Sequence, residues 1–291
     1  MRFLGESRKN MLCLNYKIIS TAGLWRFLME YRIFDMHGHA GRFHEKNCSG
    51  ELIEELCRKE NIGGVLLSSL DGLETPGHEP GGVPVHDQLT AARTMADLCR
   101  AHPLWFPAAV CQPGHQDADG LRHELRSGVY RALKFHPYML NLAADDPAYD
   151  PFMDLAEEYD LPVVFHSSPG TSDPALIYAL ARRHPRVRTV LYHINLGGDL
   201  QYGIEVLQTA CEKKDAQLWC DTSWVPAEYA LKAIDALGSD RVLFGSDMPL
   251  DGLDHYAFYY PVIEAVEKHI GTHAASRWLW DQNLDFLGVA E

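Results

Sequence analysis

The sequence lacks an apolar run long enough to cross a membrane, a paired-cysteine motif and any excess of positive charge. A membrane-spanning helix needs roughly 18 apolar residues in a row, and charged side chains interrupt every apolar stretch before that length. The seven cysteines include no CxxC pair and are odd in number, which disfavours a disulfide scaffold and favours a reducing cytoplasm. The formal net charge of −14 argues against nucleic acid or an anionic membrane as a partner.

The bulk composition is that of a globular protein with a large core. Hydrophobic residues make up 46% of the 291 residues and charged residues 23%. One α/β barrel takes about 200 to 250 residues, so this length does not require two domains. We predict a barrel over residues 31–291 and a short N-terminal extension over residues 1–30, which shows no signal-peptide pattern. Because the first strand starts directly after Met29, we expect Met29 to be the natural start.

From Arg32 onward, short apolar runs alternate with longer helical patterns, which is typical of parallel βαβ units. Eight such repeats favour a closed (β/α)8 TIM barrel over an open sheet. The predicted strands are Arg32–Met36, Gly64–Ser68, Trp105–Val110, Tyr130–Phe135, Pro162–Phe165, Val187–Tyr192, Gln217–Asp221 and Arg241–Gly245. The predicted helices are Glu51–Glu60, His86–Ala101, Ala118–Ser127, Pro151–Tyr159, Pro174–His184, Leu200–Lys213, Ala227–Leu237, Tyr256–His269 and Ala274–Leu287. A long loop over Asp71–Val85 is expected on the catalytic face.

Potential metal ligands stand where the predicted strands end. His37 and His39 are two residues apart on a strand, so both side chains point to the same side. His166, His193 and Asp247 follow the fifth, sixth and eighth strands, and the carboxyl ends of barrel strands are where active sites are built. A single histidine here is more often structural, but the joint pattern indicates a metal site. Imidazoles with one carboxylate suit Zn²⁺, with Fe, Mn or Ni also open.

Five short motifs together resemble the amidohydrolase superfamily, and within it the amidohydrolase-related branch that includes aminocarboxymuconate-semialdehyde decarboxylase. The similarity runs from about Arg32 to the end of the chain. The motifs are Asp35-Met36-His37-Gly38-His39, Lys134-Phe135-His136-Pro137, Phe165-His166, His193-Ile194-Asn195-Leu196-Gly197-Gly198 and Gly245-Ser246-Asp247-Met248-Pro249.

The resemblance implies a distorted TIM barrel that binds one divalent metal ion, with Zn²⁺ the expected ion. The implied ligands are His37, His39, His166 and Asp247, with His193 beside them as a non-ligand or second-metal histidine. Two-metal members carry a carbamylated lysine after the fourth strand, where Lys134 stands, so a second ion stays open. The resemblance also implies a small-molecule substrate and allows a homodimer.

The chemistry expected of this set is general acid–base catalysis beside the metal. A metal ion of this kind lowers the pKa of its bound water to about 7. Asp247 would take a proton from that water, and His193 would polarise a carbonyl or protonate a leaving group. Lys134 and His136 would bind a substrate carboxylate or oxyanion, or else form a strand-end ion pair. Arg42 and Trp224, in loops after the first and seventh strands, would contact substrate or simply be solvated.

Three functions compete at this point. The favoured one is hydrolysis of a C–N or C–O bond in a small amide, cyclic amide, lactone or ester, since the loop after His39 is short and no clamp for an aromatic acid is evident. The alternative is metal-dependent decarboxylation or hydration of an unsaturated or aromatic carboxylic acid, which needs the same ligands. The third is a non-catalytic barrel, which is disfavoured because none of the expected ligands is missing.

Overall fold

One nine-stranded sheet organises residues 31–289, which are the residues that this computed structural model describes. The extension predicted for residues 1–30 and the start at Met29 lie outside the described residues. The strands run in the order β2-β1-β3-β4-β5-β6-β7-β8-β9. Their bounds are β1 Ile33–Phe43, β2 Lys46–Cys48, β3 Ile62–Ser69, β4 Trp105–Val110, β5 Ala132–Phe135, β6 Val163–His166, β7 Arg188–Tyr192, β8 Gln217–Asp221 and β9 Val242–Leu243.

The eight strands other than β2 are parallel and close into a barrel. Each pairs in parallel with the next along the chain, from β1 and β3 to β8 and β9. The closure uses backbone hydrogen bonds between β1 and the segment that follows β9. The N–H of Met36 donates to the Phe244 carbonyl at 3.0 Å, that of His39 to the Met248 carbonyl at 2.8 Å, and that of Met248 to the His37 carbonyl at 3.1 Å. The predicted (β/α)8 barrel is therefore confirmed.

The helices alternate with these strands and pack around them. Their bounds are α1 Gly50–Lys59, α2 Gln88–Cys99, α3 Asp119–Leu125, α4 Pro137–Leu140, α5 Asp150–Glu158, α6 Pro174–Arg183, α7 Leu200–Lys213, α8 Ala227–Leu237, α9 Tyr260–Ile270, α10 Thr272–Leu279 and α11 Asp281–Phe286. Short 3-10 turns cover Pro147–Tyr149, Ser239–Arg241 and Gly252–Phe258. Within residues 31–289, the structure has no helix with the length and apolarity needed to span a membrane.

Two predicted helices near the C-terminus differ from the helices in the structure, one in its start and the other by a break. The helix predicted over Tyr256–His269 begins only at Tyr260, because Pro261 lacks an N–H and fits the first turn of a helix. The helix predicted over Ala274–Leu287 breaks at Trp280, whose φ of −131° and ψ of −76° are not helical. The hairpin formed by β1 and β2, in which Gly41 pairs with Cys48, was not predicted from the sequence.

The two ends of the barrel differ in polarity. The last helices pack at the N-terminal end, where the Trp280 ring meets that of Phe34 at a centroid distance of 6.1 Å and the Phe286 ring meets that of Trp219 at 5.2 Å. These side chains belong to or flank the apolar cluster that fills the barrel interior. The carboxyl ends of the strands carry the buried polar side chains. The long loop predicted over Asp71–Val85 follows β3 at this end, and its Gly81 N–H donates to the Met139 carbonyl of α4 at 2.7 Å.

Candidate metal and active site

His37, His39 and Asp247 meet at the seam where the barrel closes. The two imidazole Nε2 atoms are 3.1 Å apart. The Asp247 Oδ1 atom lies 2.9 Å from the Nε2 of His39 and 3.3 Å from the Nε2 of His37. All three side chains are buried. Residues that are far apart in the sequence thus point three potential ligand atoms at one small volume.

Hydrogen bonds at the Nδ1 atoms of His37 and His39 leave the Nε2 lone pairs of both rings pointing into the site. The Asp221 Oδ2 atom lies 2.8 Å from the His37 Nδ1, and a carboxylate accepts, so Nδ1 carries the proton. The His39 Nδ1 lies 2.9 Å from the Ser68 hydroxyl oxygen, which can accept in the same way. Metal-binding histidines are commonly held like this, with the ring N–H donated to a carboxylate or hydroxyl.

This arrangement fits a cation. Two imidazole lone pairs and a carboxylate oxygen repel one another at these distances unless positive charge lies between them. One proton satisfies the contact between His39 and Asp247 but leaves the His37 Nε2 with only a long contact, at 3.5 Å, to the Lys134 Nζ as a donor. Nitrogen and oxygen donors of this kind bind divalent transition metals.

His193 belongs to the same cluster. A ligand atom from each of His37, His193 and Asp247 lies within 4.8 Å of the other two. The Nδ1 of His193 is 3.2 Å from the Ser223 carbonyl oxygen and 2.8 Å from its hydroxyl oxygen. Because a carbonyl only accepts, Nδ1 is the protonated nitrogen, and the Nε2 is left for the site. His193 therefore has ligand-like geometry, whereas the resemblance implied a non-ligand or second-metal histidine at this position.

His166, His136 and Lys134 continue the polar cluster along β5 and β6. The His166 ring stacks on that of His136 at 4.1 Å and meets that of His193 edge-on at 4.9 Å. The Nδ1 of His136 accepts the Met139 N–H at 3.3 Å, which caps α4. The Lys134 ammonium is fully buried, 3.5 Å from the His37 Nε2 and 4.2 Å from the centre of the Tyr192 ring. The predicted residues of these strands are thus gathered in one place.

Burial sets the protonation of these groups. It lowers the pKa of His37, His136 and His166 well below the usual 6.5 and that of His193 to about 4, so the imidazoles are in the neutral form that binds metals. Burial likewise lowers the pKa of Lys134 to about 7.

The buried carboxyl groups respond in two ways. Burial opposes the ionisation of Asp247, but the hydrogen bond from His39, together with that from Trp224, holds the pKa of Asp247 below its usual range. Burial raises the pKa of Asp221 to about 7 and that of Asp35 to about 6. Asp247 is thus the buried carboxylate kept charged beside the histidines.

The two loop residues predicted to contact substrate lie in different surroundings. The Trp224 indole N–H donates to the Asp247 Oδ2 at 2.7 Å, so this residue stands beside the cluster. Arg42 is exposed on the hairpin, where its backbone pairs with Asn47 and its N–H donates to an Asp71 carboxylate oxygen at 3.4 Å. A substrate role for Arg42 stays a prediction.

The groups that hold these histidines were not predicted from the sequence. Asp221 accepts from the His37 ring, the His193 backbone N–H at 2.7 Å and the Ser223 hydroxyl. Asp35 accepts from the backbone N–H groups of His37 at 2.9 Å and Ser246 at 3.0 Å. A usable signal existed for Asp221, since it ends the seventh predicted strand at the level of the other candidates. Asp35 precedes the His37-Gly38-His39 motif and gives no such signal.

Comparison with known proteins is consistent with this geometry. A family model described as amidohydrolase matches residues 64–277, a range that includes Lys134, His166, His193 and Asp247 but not His37 or His39. No curated protein sequence matches the chain.

Several solved structures share the fold at low sequence identity. The 2,6-dihydroxybenzoate decarboxylase from Rhizobium is 15% identical, with a TM-score of 0.64 over 89% of this chain and 99% of that one. The dihydroxybenzoic acid decarboxylase from Polaromonas sp. JS666, with bound manganese and 2-nitroresorcinol, is 15% identical, with a TM-score of 0.67 over 89% and 97%. The 5-carboxyvanillate decarboxylase from Sphingomonas paucimobilis is 14% identical, with a TM-score of 0.62 over 89% and 99%.

These matches confirm the predicted family resemblance and correct the predicted reaction. The hydrolysis of a C–N or C–O bond favoured by the sequence analysis is wrong, because these similar structures are decarboxylases of aromatic acids. The lack of an evident clamp for an aromatic acid in the sequence was not a valid reason to favour hydrolysis. Hydrolases and decarboxylases share their metal ligands, so the ligand motifs alone did not separate them.

Proposed function

Because the chain belongs to the amidohydrolase family and is an enzyme of that superfamily, we propose that it is a metal-dependent decarboxylase of small aromatic carboxylic acids. The observation that carries the metal dependence is the convergence of the Nε2 atoms of His37 and His39 with the Oδ1 of Asp247. The proposed reaction is supported by the decarboxylases that share the fold.

The proposed ion is a single divalent metal held by His37, His39, His166 and Asp247. Zn²⁺ fits the donor set, and Mn²⁺ is the ion in the similar structure from Polaromonas. When bound, the ion supplies a positive charge for the carboxylate or an adjacent hydroxyl of the substrate. Lys134 would not be carbamylated, since its Nζ already lies against the Tyr192 ring and the His37 nitrogen.

The remaining side chains divide the work of binding the acid and moving a proton. In decarboxylation the bond between the ring carbon and the carboxyl carbon breaks, its electron pair stays on the ring carbon, and a proton takes the place of CO₂. His193 is suited to pass that proton from solvent to the ring carbon through Nε2, because its Nδ1–H is held by Ser223 and its Nε2 is left free to take up and release a proton. Lys134 and His136 provide donors for the acid group. Decarboxylation needs no attacking water, so Asp247 would serve as a metal ligand.

The test is a paired substrate screen of the purified protein loaded with Mn²⁺ or Zn²⁺. One set contains hydroxylated benzoic acids of the 2,6-dihydroxybenzoate and 5-carboxyvanillate types, with released CO₂ and the decarboxylated product measured. The matched set contains lactones and amides of similar size. We expect the wild type to release CO₂ from the aromatic acids only when the metal is bound, and we expect Asp247→Ala to release none. Turnover of the matched set without any CO₂ release would refute it.

A further inference from the structure

We propose that Trp224 is a positioning residue that fixes the orientation of the Asp247 carboxylate, so that Oδ1 would be the oxygen available to the metal. This inference rests on the proposed function, because it assigns a role toward the proposed ion. It replaces the substrate contact expected of Trp224 from the sequence.

The two oxygens of Asp247 have separate partners. Oδ1 faces the Nε2 atoms of His39 and His37 at 2.9 and 3.3 Å. Oδ2 accepts the Trp224 indole N–H at 2.7 Å, a short and charge-assisted hydrogen bond. The indole bond therefore prevents rotation of the carboxylate and keeps one oxygen toward the histidines.

Trp224 is itself held in an unusual backbone conformation. Its φ of 55° is in the left-handed region, which bulky residues rarely adopt and which persists only where the surroundings enforce it. The Trp224 backbone N–H donates to the Tyr259 hydroxyl at 2.9 Å, and that hydroxyl donates to the Ser246 carbonyl. The chain of hydrogen bonds thus returns to the residue before Asp247.

The indole ring is also packed on its sides. Its centroid lies 5.4 Å from that of His255, which meets it edge-on, and 5.5 Å from that of Phe258. Both neighbours come from the 3-10 turn Gly252–Phe258, which follows Asp247 in the chain. A ring held this way has one orientation in which to donate.

The consequence concerns the reaction as well as the metal. A carboxylate oxygen that accepts an indole N–H is less available to take a proton from water, as the aspartate of a hydrolytic mechanism must. The same bond does not hinder decarboxylation, which consumes no water. Trp224 would therefore favour a ligand role for Asp247 over a base role.

The test measures Mn²⁺ binding separately from turnover. Free Mn²⁺ is followed by electron paramagnetic resonance during titration of the metal-free full-length wild type, Trp224→Phe and Trp219→Phe. Trp219 is the matched control, because its indole N–H donates to the Asp240 carbonyl at 3.1 Å, at the opposite end of the barrel. We expect Trp224→Phe to bind Mn²⁺ about 10- to 100-fold more weakly, as for other groups that hold metal ligands. Trp219→Phe should match the wild type.

Kinetics separate positioning from substrate contact. A positioning role predicts that Trp224→Phe at saturating Mn²⁺ lowers kcat while KM changes by less than about threefold. Wild-type Mn²⁺ affinity with a raised KM and an unchanged kcat would make Trp224 a substrate contact and overturn this inference alone. A wild type that binds no Mn²⁺ or Zn²⁺ would overturn it together with the proposed function.

A second variant covers the case in which Trp224→Phe does not fold. Tyr259→Phe keeps the indole but removes the hydroxyl that accepts the Trp224 N–H. We expect its Mn²⁺ affinity to fall in the same direction and by less. Unchanged Mn²⁺ affinity in Tyr259→Phe would then refute the positioning role.

Discussion

Replacing Asp221 by Asn should weaken metal binding although Asp221 is not one of the proposed ligands. Its Oδ1 accepts from the His193 N–H at 2.7 Å, the Ser223 N–H at 3.2 Å and the Ser223 hydroxyl at 2.7 Å. An asparagine must keep its only oxygen on that side. Its NH₂ group then faces the His37 Nδ1, which lies 2.8 Å from Oδ2 in the wild type.

The expected loss of metal affinity follows from the movement of the His37 ring proton in this variant. An NH₂ donor forces the His37 Nδ1 to accept, so the ring proton moves to Nε2 and removes the lone pair proposed for the metal. Loss of such a supporting group typically costs about 10- to 100-fold in metal affinity, or about 1.4 to 2.8 kcal/mol. The fold should survive, because asparagine has the shape of the aspartate it replaces and its oxygen can keep the bonds from the His193 and Ser223 N–H groups.

The assay is a Mn²⁺ titration of Asp221→Asn beside the wild type, with thermal unfolding of the metal-free proteins as the check on folding. Asp240→Asn is the matched control, since Asp240 is exposed at the N-terminal end of the barrel. We expect weakened Mn²⁺ binding in Asp221→Asn alone. A dissociation constant within twofold of the wild type would refute the assignment of the His37 proton and the reasoning built on it.

Three further predictions concern the metal count, the proton donor and the support of β1. Metal analysis should find close to one ion per chain, whereas a value near two would place Lys134 among the ligands. His193→Asn should keep its metal but lower kcat by about 10² to 10⁴, the usual contribution of a general acid or base; loss of the metal would instead make His193 a ligand, as its place in the cluster allows. Asp35→Asn should lower the melting temperature by several degrees, because its NH₂ group would oppose donors such as the Tyr256 hydroxyl, and each unsatisfied buried donor costs about 1 to 3 kcal/mol. An unchanged melting temperature in that variant would contradict the buried network around Asp35.

The repeating pattern of the chain was sufficient to predict the barrel. Trp105–Val110, Gln217–Asp221 and Leu200–Lys213 have the predicted bounds, because each is a strongly patterned segment within a regular βαβ unit. The hairpin strand Lys46–Cys48 was missed because two of its three residues are exposed and polar, so it has no apolar alternation. Strand β9 is only Val242–Leu243, because beyond it the chain bonds to β1 through single hydrogen bonds rather than a regular ladder.

The side chains of the candidate site were easier to predict than the backbone and hydrogen bonds that orient them. A histidine at the end of a predicted strand can be assigned to the site from its position, since the barrel brings the strand ends together. The left-handed backbone of His193, Trp224 and Asp247 has no sequence signal, because none of the three is glycine and tertiary contacts impose the conformation. The position of Asp221 at a strand end was readable from the sequence, but its hydrogen bonds to His37 and Ser223 depend on distances that no spacing in the sequence encodes.

Because the proposed ion lies where the barrel closes, its binding should stabilise that closure. His37 and His39 precede almost the whole barrel in the chain and Asp247 follows most of it, yet the His39 and Met248 backbones bond directly to each other. An ion bound by these side chains would link the first strand of the barrel to the segment that follows the last one. Metal binding and ring closure are then one linked equilibrium, and the amide hydrogens of His39 and Met248 should exchange with solvent sooner once a chelator removes the ion.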